Sequence, residues 1–126
     1  MTLILDAGAL RALERGDRRM WGRLSAAAAR GAVPVTHGGV VGQVWRGGAG
    51  RQALLAKALK GIRVVSLDDG LGRRAGMILA RSSLRDVVDA AVVAIAREGD
   101  TVVTSDPGDI AALAAVHPVA LDVLVV

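Results

Sequence analysis

The chain contains no cysteine, phenylalanine or tyrosine, and its only aromatic residues are Trp21 and Trp45. Without cysteine it can form no disulfide, use no thiolate nucleophile and build no cysteine–zinc site. Its two histidines, His37 and His117, are too few for a histidine metal site. Any bound metal must therefore be held by oxygen ligands, which favours a hard cation such as Mg²⁺ or Mn²⁺.

Length and composition indicate one globular domain spanning residues 1–126. Hydrophobic residues make up 52% of the chain, which excludes a disordered protein. No basic residue precedes the apolar run Met1–Leu5, and no apolar stretch approaches membrane-spanning length. We therefore expect a cytoplasmic protein that has no membrane partner.

The formal net charge is +4, and nearly all of the basic residues are arginine. Because arginine binds phosphate groups with two parallel hydrogen bonds, an anionic partner is one explanation of this composition. A general coding bias towards alanine, glycine, valine and arginine is the other, and composition alone does not separate them. The arginines of the helix predicted from Arg18 to Arg30 are interpreted as a solvated face.

The stretch Thr101–Asp109 is the most informative part of the chain. A β-branched strand ends at Thr104-Ser105-Asp106, Pro107 and Gly108 are expected to stop it, and an alanine-rich helix is predicted from Ile110 to Val116. Asp106 then lies at the carboxyl edge of a strand just ahead of a helix, where open α/β sheets bind ligands. The alternative is that Asp106 only caps that helix and Asp109 occupies its first turn.

The N-terminal strand repeats this arrangement, since the apolar run Thr2–Leu5 ends at Asp6 before a second predicted helix. Strands alternate with helices along the whole chain, which predicts a three-layer α/β sandwich around a mainly parallel sheet. Right-handed crossovers would bring the carboxyl ends of the first and fourth strands to one edge of that sheet. We therefore expect Asp6 and Asp106 to converge.

The segment from Val87 to Ala96 predicts a helix buried nearly all round, because every residue in it except Asp89 is apolar. A buried carboxylate needs a cation, hydrogen-bond donors or a proton. Asp89 is therefore interpreted as a third functional carboxylate. Asp86, which lies three residues earlier on the same helical face, is interpreted as the helix cap.

Two further segments are interpreted as structural. His37 follows a short strand at Val33–Thr36 and is expected in a partly exposed turn before a helix. Asp68 and Asp69 lie where a helix cap belongs.

The motifs Leu5-Asp6-Ala7, Val88-Asp89-Ala90 and Thr104-Ser105-Asp106 with Asp109 together resemble a PIN domain, most closely the single-domain toxin ribonucleases of VapC kind. The resemblance covers essentially the whole chain. It implies a ribonuclease that depends on Mg²⁺ or Mn²⁺, pairs with a small antitoxin protein and forms a homodimer. It also implies that Asp6, Asp89 and Asp106 are catalytic metal ligands, with Asp109 as an accessory ligand.

One position departs from the PIN pattern. Where the family usually has a glutamate, in the segment Val40–Arg46, this chain has Gln43. An amide oxygen can still contact a cation or its water, as an accessory ligand, but one negative charge is lost. The alternative function is therefore a degenerate PIN module that binds RNA or a partner protein with little or no catalysis.

A phosphoryl-transfer domain is a third interpretation of the same carboxylates. Receiver domains need paired acids after the first strand and a late lysine, and haloacid-dehalogenase-like hydrolases need a second aspartate two residues after the first. The segment Asp6–Ala9 has neither feature, so this class is disfavoured.

Overall fold

The computed structural model describes residues 1–126 as an α/β fold in which seven helices flank a five-stranded sheet. A short 3₁₀ turn, Gly50–Gln52, precedes the fourth helix. In chain order, the elements are β1 (Leu3–Leu5), α1 (Ala7–Glu14), α2 (Arg18–Ala29), β2 (Val35–His37), α3 (Gly38–Val44), α4 (Ala53–Leu59), β3 (Arg63–Val65), α5 (Asp69–Ala80), α6 (Val87–Ile95), β4 (Thr101–Thr104), α7 (Pro107–Ala115) and β5 (Asp122–Val125).

The sheet has the strand order β3-β2-β1-β4-β5, and all four neighbouring pairs are parallel. The predicted fold class, a three-layer sandwich with a mainly parallel sheet, is confirmed. The chain builds outward from β1 to β3 and then returns to place β4 on the other side of β1. The strand order therefore reverses between β1 and β4, and a crevice at the carboxyl ends of two such strands is the usual ligand site of an open α/β sheet.

Small aliphatic side chains build the core, as expected of a chain with so few aromatics. The central strands β1 and β4 are almost completely buried because helices cover both faces of the sheet. In α6 the run from Ala90 to Val93 is fully buried between α5 and the sheet. None of the helices combines the length and the apolar character needed to cross a bilayer.

Several boundaries differ from the sequence predictions. Pro107 and Gly108 do more than end β4, because α7 already begins at Pro107. Proline is favoured at the first helical position, where its missing N–H has no intrahelical partner to lose. The last strand is shorter than the apolar run suggests, and the helix predicted from Arg51 to Lys60 is divided into the 3₁₀ turn and α4.

The prediction for His37 was wrong. Its side chain lies at the end of β2 and is completely buried, because the first turn of α6 covers it.

Candidate functional site

Four aspartates line one cleft of about 400 Å³ at the carboxyl edge of the sheet, where the strand order reverses. Asp6 follows β1 and Asp106 follows β4, and the register pairs Leu5 with Val103, so the two strands end side by side. The structure thus brings all three predicted catalytic aspartates to the same place. The lining residues are Asp6, Ala7, Gly8, Arg11, Gln43, Arg46, Asp86, Asp89, Ser105 and Asp106.

Three of these aspartates also cap helices. Asp6 caps α1, Asp86 caps α6 and Asp106 caps α7, and in each the Oδ1 atom accepts amide N–H groups of the first turn at 2.9–3.5 Å. Capping occupies one carboxylate oxygen. The other oxygen of Asp86 accepts no hydrogen bond from the protein, although this carboxylate lines the cleft. The capping role and a role in the cleft are therefore compatible.

Asp89 has no partner of its own. Its carboxylate accepts no hydrogen bond and forms no ion pair within the protein. Burial, followed by the negative charges of Asp86, Asp6 and Asp106, raises the pKa of Asp89 to about 6. This is the environment that a bound cation would relieve, because a positive charge favours the ionised form of each carboxylate.

The closest carboxylates are those of Asp89, Asp106 and Asp109, which offer oxygen atoms within 4.8 Å of one another. The charge of Asp106, followed by desolvation, raises the pKa of Asp109. Asp109, expected as an accessory ligand, therefore lies in the tightest group of the site.

Asp6 belongs to the same cleft but is set deeper, with only 4% of its surface exposed. Burial raises its pKa, while hydrogen bonds from the Thr104 hydroxyl and from backbone amides, led by that of Ala9, act in the opposite direction. The Thr104 hydroxyl also accepts the backbone N–H of Asp106 at 2.8 Å. The Thr104 side chain, at the end of β4, thus lies beside both aspartates.

A glycine allows α1 to approach this edge. A Cβ atom on Gly8 would lie 2.1 Å from the Ser105 Oγ, which is far inside contact distance. Any larger residue at this position would push α1 away from the turn after β4. Gly8 therefore sets the distance between the Asp6 and Asp106 walls of the cleft.

His37 fixes the first turn of α6. Its Nε2 lies 2.9 Å from the Val88 carbonyl oxygen, and its Nδ1 lies 3.0 Å from the Gly39 backbone nitrogen. Because a carbonyl can only accept and an amide N–H can only donate, Nε2 carries the proton and Nδ1 does not. Burial lowers the pKa of His37, which agrees with a neutral ring. The histidine therefore ties Val88, the residue before Asp89, to the end of β2.

Gln43 is exposed on α3 and lines the same cleft as Asp6, Asp89 and Asp106. Three lining residues were missed by the sequence analysis: Asp86, Arg11 and Arg46. For Asp86 a signal was available, since it lies three residues before Asp89 on the same helical face. For the two arginines no local signal exists, because only the packing of α1 against α3 brings them to the cleft.

Comparisons with models of protein families and with curated proteins found no match to this chain. The PIN-domain resemblance therefore rests on the motifs and their order along the chain.

Proposed function

We propose that this protein is an endoribonuclease of PIN type that depends on Mg²⁺ or Mn²⁺. One observation carries the proposal: the carboxylates of Asp89, Asp106 and Asp109 offer oxygens within 4.8 Å of one another, with no protein cation paired to any of them. This group lies where the strand order of the sheet reverses. Carboxylates that repel one another in such a crevice are stabilised by a bound cation, so we expect this group to serve as a ligand site.

The donor set fits a hard divalent cation. The nearby side-chain ligand atoms are carboxylate, amide and hydroxyl oxygens, which suit Mg²⁺ and Mn²⁺. Asp89, Asp106 and Asp109 would hold the ion, Asp6 would support them from the buried side, and Gln43 would contribute a neutral oxygen. When bound, the cation supplies a Lewis acid that neutralises charge on a phosphodiester and makes a water molecule a stronger nucleophile.

The residues of the chain supply the remaining functions. The cleft is lined by no histidine or lysine, so its only proton acceptors are aspartates. Arg11 and Arg46 lie on its rim and form no ion pair, which leaves both guanidinium groups available to an anionic substrate. Substrate recognition through phosphates suits a chain that has only two aromatic residues on which bases could stack.

The remaining features of the proposal come from the family resemblance. It predicts that the protein acts on cellular RNA in the cytoplasm as the toxin of a toxin–antitoxin pair. It also predicts a small antitoxin protein as partner and a homodimer as the working form.

The second candidate function is a degenerate PIN module that binds RNA or a partner without cleaving RNA. It is favoured by one observation, the neutral amide of Gln43 in the cleft at the position where the family has a carboxylate. Losing that charge weakens the attraction for a cation, so the two candidates differ in whether the remaining aspartates recruit metal strongly enough.

Cleavage of a short, unstructured, end-labelled RNA tests the proposal. We expect cleavage with Mn²⁺ or Mg²⁺, none in EDTA, and a loss of at least a hundred-fold in Asp89→Asn and Asp106→Asn, as is typical when a group stabilising the transition state is removed. Asp68→Asn is the matched control, because Asp68 also caps a helix but does not line the cleft.

Calorimetry with Mn²⁺ alone separates the two candidates. Mn²⁺ binding without RNA cleavage at any metal concentration supports the degenerate module. The absence of both Mn²⁺ binding and cleavage contradicts the metal site itself.

A further inference from the structure

The helix α6 begins with two carboxylates that line the same cleft. Asp86 is its cap and is exposed, and Asp89, three residues later, is partly buried. The Oδ1 atom of Asp86 accepts the backbone N–H groups of Val88 at 2.9 Å and of Asp89 at 3.1 Å. The Asp86 carboxylate is therefore fixed to the first turn of α6, beside the functional aspartate.

This first turn lacks the hydrogen bond that such a pair of residues usually makes. In a capping box, the side chain of the third helical residue bonds back to the N–H group of the cap. Asp89 occupies that position, but its carboxylate accepts no hydrogen bond. The second oxygen of Asp86 accepts none either. Three carboxylate oxygens at the start of α6 thus lack a hydrogen-bond donor from the protein.

No protein cation neutralises Asp86, because neither ion pair of the structure includes it. Burial is the main cause of the raised pKa of Asp89, and the charge of Asp86 is the next cause. At Asp109 the charge of Asp106 is the main cause of the raised pKa, and Asp86 contributes there too. The Asp86 carboxylate therefore lies close enough to this group of aspartates to repel it.

Capping alone does not account for a charged residue at this position. Asparagine and serine cap helices about as well as aspartate, and neither would repel Asp89. The charge of Asp86 therefore costs stability as long as no cation is bound. A divalent cation among the carboxylates reverses this, because it attracts each of them. The residue type at the cap thus fits a cation site better than it fits a cap alone.

The position of Asp86 suits a contact through water. The carboxylates whose oxygens lie within 4.8 Å of one another are those of Asp89, Asp106 and Asp109, and Asp86 is not in this group. Mg²⁺ keeps several of its waters when it binds to proteins. A free carboxylate oxygen near the ion can accept hydrogen bonds from those waters, and such charge-assisted bonds are strong.

Across the same cleft, α3 contributes a neutral group. Gln43 lines the cleft with an amide at the position where the family resemblance predicts an acid. Asp86 lines the cleft with a full negative charge. The two residues come from different elements, α3 and α6, so a charge that is absent on one side of the cleft is present on another.

We propose that Asp86 binds the water shell of the cation in this site and supplies the negative charge that Gln43 does not. This inference rests on the proposed function and adds a residue to its metal site. The charge of the site is thus moved from α3 to the cap of α6. Its consequence is that metal affinity depends on a residue that otherwise serves as a helix cap.

Calorimetry with Mn²⁺ in the absence of RNA tests the proposal. Asp86→Asn keeps the capping oxygen and removes the charge. We expect Mn²⁺ to bind about three- to ten-fold more weakly, since the lost charge acts through water and is partly screened. Asp68→Asn is the matched control, because it makes the same change at a cap outside the cleft and should leave the affinity unchanged. Equal Mn²⁺ affinity in Asp86→Asn and the wild type would overturn the proposal.

A second variant, Asp86→Ser, also keeps a capping oxygen and lacks the charge, so it should lose the same Mn²⁺ affinity. Thermal melting in EDTA shows whether either variant has lost its cap. We expect both to melt at or above the wild-type temperature, because repulsion at the start of α6 is removed. Lower melting temperatures in EDTA together with unchanged Mn²⁺ affinity would mean that Asp86 is only a structural cap.

An exchange of charge between the two positions tests their relation. Asp86→Asn/Gln43→Glu removes one negative charge from the cleft and returns one. We expect its Mn²⁺ affinity to lie within about three-fold of the wild type, because both charges act on the same ion. If this double variant binds Mn²⁺ no more tightly than Asp86→Asn, the proposed exchange is wrong.

The number of waters on bound Mn²⁺ distinguishes a contact through water from direct coordination. Electron–nuclear double resonance in ¹⁷O-labelled water counts them. We expect the same number in the wild type and in Asp86→Asn, since the substitution removes no direct ligand. One additional water in the variant would show that Asp86 coordinates the ion directly, and would overturn the contact through water.

Failure of the proposed function gives a different result. In that case Asp86→Asn still weakens Mn²⁺ binding, but neither the wild type nor any variant cleaves RNA at any metal concentration. Conversely, metal-dependent cleavage by the wild type, with Mn²⁺ affinity unchanged in Asp86→Asn, contradicts the role of Asp86 and leaves the nuclease intact.

Discussion

Two kinds of aspartate begin the helices of this protein. Asp17 and Asp68, which we call the isolated caps, each begin one helix, and neither lines the acidic cleft. Asp6, Asp86 and Asp106, which we call the edge caps, use the same Oδ1 hydrogen bonds but line the cleft together. Both kinds cap through the same type of hydrogen bond, although the bond to Asp106 is longer, at 3.5 Å, than the bonds of 2.9 Å to Asp17 and Asp68. Asp6, Asp68 and Asp106 each follow a strand, and the difference among these three lies in which strand it is.

For a cap that follows a strand, the position of that strand in the sheet decides which other carboxylates lie nearby. Asp68 follows β3, which forms one border of the sheet, whereas Asp6 and Asp106 follow the adjacent central strands β1 and β4. Only Asp6 and Asp106 meet where the strand order reverses. The start of α6 brings Asp86 and Asp89 to the same cleft. A helix-cap signal in the sequence is therefore neither evidence for a functional role nor evidence against one. The order of the strands in the sheet shows which capping aspartates lie together at the cleft, and the cap pattern alone does not.

The largest expected effect concerns the charge at the centre of the cleft. Above pH 6 in EDTA, Asp89→Asn should stabilise the protein, because it removes an ionised carboxylate that is partly buried among like charges. The pKa of about 6 against 3.8 corresponds to about 3 kcal/mol. Solvent screening of this half-exposed group reduces the effect to about 1–2 kcal/mol, or about 3–8 °C in melting temperature.

The pH dependence has a defined sign. Between pH 4 and 6 the folded protein retains a proton on Asp89 that the unfolded chain has lost, so the stability of the wild type falls as pH rises through this window. The benefit of Asp89→Asn should accordingly be absent near pH 4 and complete above about pH 6. Asp68→Asn, at an isolated cap, should show no such profile. A loss of stability in Asp89→Asn at pH 7.5 in EDTA would mean that Asp89 serves a structural role.

Alanine substitution of the caps should give the next largest effects. Asp17→Ala and Asp68→Ala should each lower the free energy of unfolding by about 1 kcal/mol, because each removes one capping hydrogen bond. Urea denaturation with and without Mn²⁺ should give the same loss for both. Asp106→Ala should cost less than this in EDTA, since the lost cap is offset by relief of repulsion, and more in Mn²⁺, since a ligand is lost. Equal losses for all three variants in both buffers would remove the distinction between the two kinds of cap.

The sequence predicted the fold class and the meeting of Asp6, Asp89 and Asp106 because both depend on rules that are local or topological. Buried strands show as apolar runs, and parallel strands with right-handed crossovers place their carboxyl ends at one edge. Asp86 was missed because a capping role was treated as excluding any other.

Two other features could not be predicted from local patterns. The burial of His37 depends on where α6 crosses the end of β2, and no residue near His37 in the sequence reports that crossing. The position of Arg11 and Arg46 beside the cleft depends on the packing of α1 against α3 and on four hydrogen bonds of one glutamine, Gln52. Such long-range contacts leave no periodic signal in the chain.

The smallest expected effect concerns Gln43, the one neutral residue at a position where the family resemblance predicts an acid. Gln43→Glu should tighten Mn²⁺ binding by about two- to five-fold in calorimetry. Two charges 4 Å apart attract by about 4 kcal/mol at an effective dielectric constant of 20, but an exposed side chain retains only a part of this because of solvent screening. The metal concentration for half-maximal RNA cleavage should fall by the same factor.

Ser25→Glu is the matched control for Gln43→Glu, because it adds one negative charge on the exposed face of α2, outside the cleft. If both variants change Mn²⁺ affinity equally, the effect is one of net charge and Gln43 does not contact the ion or its waters. If the wild type cleaves no RNA at any metal concentration but the Gln43→Glu variant cleaves it, the wild type is a binding module, and the missing charge at residue 43 is the reason. In that case Asp89, Asp106 and Asp109 form a metal site that lacks one ligand charge.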